Sequence, residues 1–226
     1  CRTLAINNSK STWYCHLDAD DCLPITTLEI LNQHQKKYPE CDYFWGKCMF
    51  FSSQKYNTEF VREVDLDLQA KYMLIYGQAP IKIDLFNKLN GFNKNLYWGY
   101  ADWDFWIRVF SQKYKGKFID EILYERRNRN HSVCDKMEFY RDKIVEIVIN
   151  NNKEFYSIND RKKECLGKAY EMMARTHRGL GDRKQAKEYA IKAKDVNWYF
   201  KVQDEIIFEA DMNLLRYYVR RLRLLI

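Results

Sequence analysis

No run of eighteen apolar residues occurs in the chain, so no segment reads as a membrane-spanning helix. The opening residues also lack the basic-then-apolar layout of a secretory signal. Cysteine pairing is missing too. The seven cysteines (Cys1, Cys15, Cys22, Cys41, Cys48, Cys134 and Cys165) are odd in number and scattered, with no Cys-x-x-Cys. That pattern disfavours a zinc site or a disulfide framework and fits a reducing compartment. Nor does one sign of charge dominate, since 38 Lys and Arg stand against 31 Asp and Glu for a net +7. A surplus of that size decides no class of partner by itself. With 226 residues and 46% hydrophobic composition, the chain can bury a core as one or two globular domains.

What the chain does have is an acidic cluster where a buried strand stops. After the apolar Trp13-Tyr14-Cys15 comes His16-Leu17-Asp18-Ala19-Asp20-Asp21, with three carboxylates in four positions. Such groups repel one another and lose hydration unless something positive sits among them. A divalent cation is the simplest partner, because carboxylate oxygens are hard ligands and Mg²⁺ is commonly held by one or two of them together with substrate phosphates. The plainer account is a strand followed by a helix cap. Asp21 and Pro24 precede Ile25, Leu28 and Leu31, whose spacing predicts a helix with or without metal.

About eighty residues later, Asn90-Gly91-Phe92 leads through Tyr97-Trp98-Gly99-Tyr100 to Ala101-Asp102-Trp103-Asp104-Phe105-Trp106-Ile107-Arg108. The spacing of Trp103, Trp106, Ile107 and Phe110 predicts a helix. Asp102 and Asp104 fall in its first turn, where the positive helix end favours ionised carboxylates. Asp104 with Arg108 four residues on reads as a structural pair, and Trp106 reads as core. Asp102 is left as the functional candidate.

Together, HLDADD and NGF…WGYADWDFWIR, in this order and spacing, resemble the GT-A fold glycosyltransferases that use nucleotide-sugar donors. The first is similar to their metal-binding Asp-x-Asp after its strand. The second is similar to the GGF…ED.D…R segment of the large bacterial inverting group, and its NGF…YWG wording to the C-terminal segment of the β-galactosyltransferases. The resemblance covers roughly residues 1–133. It implies an α/β chain in which 1–133 is the C-terminal portion of a GT-A, Rossmann-like sheet domain and 134–226 an all-α extension. It also implies an inverting hexosyltransferase acting on a nucleoside-diphosphate donor, a UDP-sugar above all, and on a hydroxyl of a glycan or glycoconjugate. Such polysaccharide-building chemistry is expected in the cytoplasm, at the inner face of the membrane. Residue by residue, the resemblance implies that Asp18 and Asp20 hold Mn²⁺ or Mg²⁺, with His131 as a third ligand, and that Asp102 is the general base. Arg2, Asp18, Gly91, Trp98 and Trp103 are implied substrate contacts, the tryptophans as stacking surfaces for sugar rings. In the family, nucleotide-binding strands precede the segment that carries Arg2. They are absent from these residues, so the expectation is of a base pocket that this chain alone does not complete.

Local pattern elsewhere predicts strands over residues 13–17, 42–52, 79–83 and 117–124, and helices over 25–37, 66–76, 84–89 and 137–151. Ala169, Ala174, Ala186 and Ala193, with Gly179 and Gly181 between, resemble one tetratricopeptide-type helical hairpin over about 165–195. One repeat cannot bury its faces alone, so it is expected to pack on a neighbour. The tail over 214–226 interleaves apolar residues with Arg216, Arg220, Arg221 and Arg223, and as a helix it suits an anionic membrane surface or a partner. A non-catalytic GT-A remnant serving as an interaction module is the alternative reading. Nucleic-acid binding through the arginines ranks far behind, and no nucleic-acid partner is expected. One departure from the family pattern is directly testable: Ala101 stands where a Glu commonly precedes the catalytic Asp. Ala101→Glu is expected to lower the acceptor KM, and steady-state kinetics with an unchanged KM would count against a lost acceptor contact there.

Overall fold

The structure is a computed structural model that describes residues 2–51, 56–59, 63–97, 99–127 and 137–211. The chain divides into two compact units, Cys1–Ser132 and Val133–Ile226. None of the described helices is long and apolar enough to cross a membrane.

The first unit is a mixed α/β structure around an open sheet. Its strands in chain order are β1 (Trp13–Tyr14), β2 (Tyr43–Phe51), β3 (Tyr56–Glu59), β4 (Ile81–Lys82) and β5 (Gly116–Arg127). The helices are α1 (Arg2–Asn7), α2 (Thr27–Lys37), α3 (Leu66–Gln69), α4 (Ile83–Lys88) and α5 (Ala101–Ser111). β2 is the spine. One edge runs parallel to β5 along its whole length, while the other takes β4 at Tyr43 and β3 from Cys48 to Phe51, both antiparallel. β1 pairs antiparallel with β4.

Successive β2 side chains face opposite layers, as a pleated strand requires. Phe44 packs with Leu31, Cys41, Ile119 and Leu123 on the α2 side. Tyr43 packs with Ile81, Phe86, Phe105 and Trp106 on the side of α4 and α5. Each of the largest of these side chains contributes about 2–3 kcal/mol by leaving water, before entropy is counted. The parallel pairing of β2 with β5 slips at Gly46 and Lys47, where extra β5 residues are accommodated. A Cβ on Gly46 would lie 2.7 Å from the Leu123 side chain, so glycine is what permits the irregularity.

Several elements are shorter than local pattern predicts, each for a visible reason. The strand expected over 13–17 pairs only at Trp13 and Tyr14, and the chain then turns, with Asp21 N–H donating to Asp18 O at 3.0 Å. α2 begins at Thr27, not at Ile25, and of the three apolar residues that marked it only Leu31 is buried. Ile25 is fully exposed, and Asp21 does not cap the helix because its carboxylate is engaged elsewhere. The helix expected over 66–76 ends at Gln69, whose backbone carbonyl accepts the Trp103 indole N–H at 2.7 Å and whose side-chain oxygen accepts Leu74 N–H at 3.1 Å. Tertiary partners take the groups that a further helical turn would have used.

The second unit is helical, with α6 (Arg141–Asn151), α7 (Lys153–Tyr156), α8 (Arg161–Gly179) and α9 (Arg183–Asp195), followed by helical residues 203–211. α8 and α9 form a hairpin through Gly181, at φ +79°, and Asp182, whose carboxylate caps α9 by accepting Gln185 N–H. Ala174, Ala186, Ala190 and Ala193 are each 0–1% exposed, which lets the two backbones approach closely. Glu171 is nearly buried, yet accepts bonds from Trp198 Nε1, Lys168 Nζ and Arg175 Nε. Burial alone would raise its pKa, but these donors overcome that and hold it below the ordinary carboxylate value. The basic tail over 214–226 lies outside the described residues.

The Asp104–Arg108 pair carries the joint between α4 and α5. Asp104 is fully buried, and Arg108 reaches it at 2.9 Å while also donating to the carbonyls of Leu89 and Gly91. Asp104→Ala leaves the largely buried Arg108 guanidinium without its counter-ion and is expected to cost about 3 kcal/mol in urea unfolding. Asp104→Ala with Arg108→Met should cost clearly less than the two single changes summed, and strict additivity would exclude the coupling.

Candidate active site

The acidic turn after β1 is clasped to the end of β5. Cys22 and Glu125 exchange two backbone hydrogen bonds of 2.9 Å. The Asp21 carboxylate accepts the Tyr124 hydroxyl at 2.5 Å and Arg127 N–H at 2.8 Å, and Arg127 Nε donates to Asp20 O at 3.2 Å. Burial, and then the bond to Asp21, push the Tyr124 hydroxyl far above its usual pKa, so it stays a donor. One carboxylate of the cluster is therefore structural. Asp18 faces the other way: Arg2 Nη2 meets it at 2.5 Å and Gln78 Nε2 at 3.3 Å. α1 thus delivers Arg2 to the turn, and the loop before β4 delivers Gln78.

The second cluster reaches the same place through Gly77. A Cβ built on Gly77 would lie 3.1 Å from Asp102 Oδ2 and 3.2 Å from His16 Cε1, so the carboxylate and the imidazole close on one backbone position. Asp102 sits in the first turn of α5, accepting Trp103 N–H at 3.0 Å. Loss of hydration raises its pKa, against the pull of backbone N–H groups and of the Arg126 and Arg2 charges. His16 is buried, and desolvation, then the Arg2 charge, lower its pKa to about 4. Arg2, which pairs with Asp18, is thereby a charge neighbour of both His16 and Asp102. Tyr100, just before α5, holds a left-handed φ of 61°, a strained conformation for an aromatic residue beside the candidate base.

Two further cations border the cleft on aromatic supports. Arg126 lies 5.9 Å from the Phe50 ring centroid and 5.8 Å from that of Tyr76, and Arg127 lies 5.3 Å from that of Phe51. A cavity of about 400 Å³ adjoins, lined by Cys15, Gln78, Tyr76, Trp45, Leu31 and Tyr124 among others.

Asp18 and Asp102, read from sequence as site residues, therefore gather around Arg2, His16 and Gly77, with Asp20 in the same turn as Asp18. Trp103 does not join them: it is 2% exposed and bonded to Gln69, a core residue with no face for a sugar ring. Gly91 has a structural task. It takes φ +65° after α4, its carbonyl accepts Arg108, and a Cβ there would meet the Phe86 ring at 2.8 Å. Trp98 and His131 lie outside the described residues. Among the described residues no group of three or more His, Cys, Asp or Glu gathers as a metal-ligand set. His16, Gln78 and Tyr124 were not singled out as site residues from sequence, whereas Arg126 and Arg127, in the arginine run after the last strand, read from sequence as suited to face a diphosphate. Of the first three only His16 carried a signal, lying two positions before Asp18 at strand periodicity.

No protein-family model matches the sequence, and a search of curated proteins gives no match. Among solved structures the chain is similar to S. aureus TarS, a glycosyltransferase. TarS 1-349 in complex with UDP-GlcNAc shares 12% identity at a TM-score of 0.53, covering 88% of this chain and 72% of that one. The same protein in complex with UDP shares 13% at 0.50, covering 87% and 67%. At such identity the likeness establishes the fold alone: the mixed α/β architecture with an open sheet is shared with the TarS structure.

Proposed function

We propose that this chain carries the catalytic site of a metal-dependent, inverting glycosyltransferase that moves a sugar from a nucleoside-diphosphate donor, preferentially a UDP-sugar, to a hydroxyl of a glycan or glycoconjugate. The observation that carries the reading is the meeting of Asp102 with the Asp18 turn across Gly77, ringed by Arg2, Arg126 and Arg127. The TarS structures with UDP and UDP-GlcNAc support the choice of donor class.

Asp102 is the general base. A partly desolvated carboxylate with a raised pKa is a better proton acceptor than a fully hydrated one. Removing the acceptor proton as the hydroxyl attacks the anomeric carbon, from the face opposite the leaving diphosphate, gives inversion in one displacement. The arginines near the turn supply planar, permanently charged donors suited to phosphate oxygens.

The charge of the cleft bears on the metal. Asp18, Asp20, Asp21 and Asp102 supply four negative charges, while Arg2, Arg126 and Arg127 supply three positive ones. A diphosphate entering that balance meets net negative charge, and a divalent cation relieves it. Asp18 and Asp20 would hold such an ion, Asp18 giving up its half-exposed pairing with Arg2, whereas Asp21 is tied into the sheet by Tyr124 and Arg127. Two carboxylates with donor phosphates and water form an ordinary Mg²⁺ or Mn²⁺ environment. When bound, the ion neutralises charge developing on the diphosphate.

Asp20→Ala and Asp102→Asn should each abolish transfer, with Asp20→Ala also removing the Mn²⁺ dependence of UDP-sugar binding in calorimetry. Full activity in either variant removes the assignment, and clear Mn²⁺-dependent UDP-sugar binding excludes the interaction-module alternative. Asp102→Asn has a second signature. The folded-state pKa of Asp102 lies above the unfolded value of about 3.9, so its stabilising, protonated form is fully present below that value and lost as pH rises through the folded one. At neutral pH the ionised carboxylate is a net cost, and Asp102→Asn should melt at or above the wild-type temperature. In the pH profile of kcat/KM, the acid limb should lie above an ordinary Asp and shift to higher pH in Arg126→Gln, where a charge favouring ionisation is gone. An unmoved limb would refute that coupling.

A further inference from the structure

The stretch leaving β1 carries two polar atoms that the fold does not satisfy. Among the described residues, four buried side-chain nitrogen or oxygen atoms have no hydrogen-bond partner, and two of them are Tyr14 Oη and His16 Nδ1. Burying such groups unpaired is unfavourable, and native structures retain few of them. The other two, on Gln69 and Trp106, belong to core residues that are 0% and 1% exposed. Tyr14 and His16 differ in where they stand. Their rings stack at 5.8 Å between centroids with planes 29° apart, which puts both on one side of the chain. His16 then abuts Gly77 at the point where Asp102 does, and it feels the charges of Arg2 and Asp18.

We propose that Tyr14 and His16 form a hydroxyl-binding subsite that grips the sugar moiety of the donor. The proposal rests on the glycosyltransferase reading above and adds two residues to it. His16 abuts the Gly77 position that Asp102, at the acceptor side, also reaches, and it is a charge neighbour of Asp18, at the diphosphate side. A phenol and an imidazole offer hydrogen bonds in both directions without a fixed charge, which matches sugar hydroxyls. Phosphate oxygens are served by the three guanidinium groups already at the cleft. The unpaired atoms find partners only when the sugar arrives, so the unfavourable burial in the free protein becomes selectivity for sugar nucleotide over bare nucleotide.

The test is calorimetry on the full chain with Mn²⁺, using UDP alone and a panel of UDP-glucose, UDP-galactose and UDP-GlcNAc, beside thermal melting without ligand. Tyr14→Phe and His16→Phe should each weaken the best-bound sugar nucleotide by about 3- to 10-fold while leaving UDP affinity within about twofold. Their melting temperatures without ligand should equal or exceed that of the wild type, because an unsatisfied buried group has been removed. His16→Asn, which keeps a hydrogen-bonding side chain, should recover part of the lost sugar-nucleotide affinity. Equal weakening of UDP and UDP-sugar, no weakening of either, or a wild type that does not distinguish the two overturns the subsite. A fall in melting temperature for both phenylalanine variants also overturns it, since the groups would then be serving the fold. A wild-type chain that binds no UDP overturns the glycosyltransferase reading itself, and is thereby distinguishable from failure of the subsite alone.

Discussion

The candidate site depends on the clasp between the Asp21 carboxylate and the end of β5. Three like charges in four positions cannot share a turn unless at least one is neutralised by fixed donors. Tyr124 Oη and Arg127 N–H do that for Asp21, and the Cys22–Glu125 backbone pair locks the turn in place. The clasp requires Tyr124 and Arg127 at the right height on β5. Their height follows from the slipped register beside β2, and the slip in turn needs the missing side chain of Gly46. A glycine on the central strand thus determines where the acidic turn is held.

Much of this architecture can be read from residue pattern, and the failures have physical causes. β2 is legible because Tyr43 to Phe51 is aromatic and β-favouring throughout, and its two faces find helices on both sides. α5 is legible because its apolar spacing and its Asp104–Arg108 pair are local. The alanines of α8 and α9 mark helix contact for the same reason. Long-range pairing escapes this kind of reading. Nothing near Leu66 announces that a tryptophan far along the chain will take the Gln69 carbonyl and end the helix, nor does Trp103 itself announce that it is core. Gly77 has no periodicity at all, yet it is where Asp102 and His16 meet. Asp21 resembles a helix cap in sequence because the residue type suits both tasks, and only the sheet decides between them.

In the second unit the same logic serves stability. Glu171 is kept ionised by three donors from its own helix and from Trp198, so a carboxylate in a helical core becomes a fixed joint. Replacing one donor would strand the charge, whereas the satisfied cluster holds Trp198 and α8 in a single arrangement.

The contrast between Asp102 and Asp104 shows how environment assigns roles to identical side chains. Both lie in the first turn of α5, two residues apart, and helix geometry therefore points them in different directions. Asp104 turns into the core and meets Arg108, whose remaining donors are spent on the Leu89 and Gly91 carbonyls, so its charge is balanced and inert. Asp102 turns toward Gly77 and His16, where it accepts the neighbouring Trp103 N–H and feels the Arg126 and Arg2 charges through space. A carboxylate with a raised pKa, next to an imidazole whose Nδ1 is unsatisfied among the described residues, carries unspent proton affinity. Folding alone gains nothing from leaving Asp102 in that state when the pairing of Asp104 with Arg108, four residues on, shows how readily such a charge is balanced. The imbalance is retained at the one position where the two acidic motifs converge, and that is the physical ground for assigning the chemistry to Asp102 and the scaffold to Asp104.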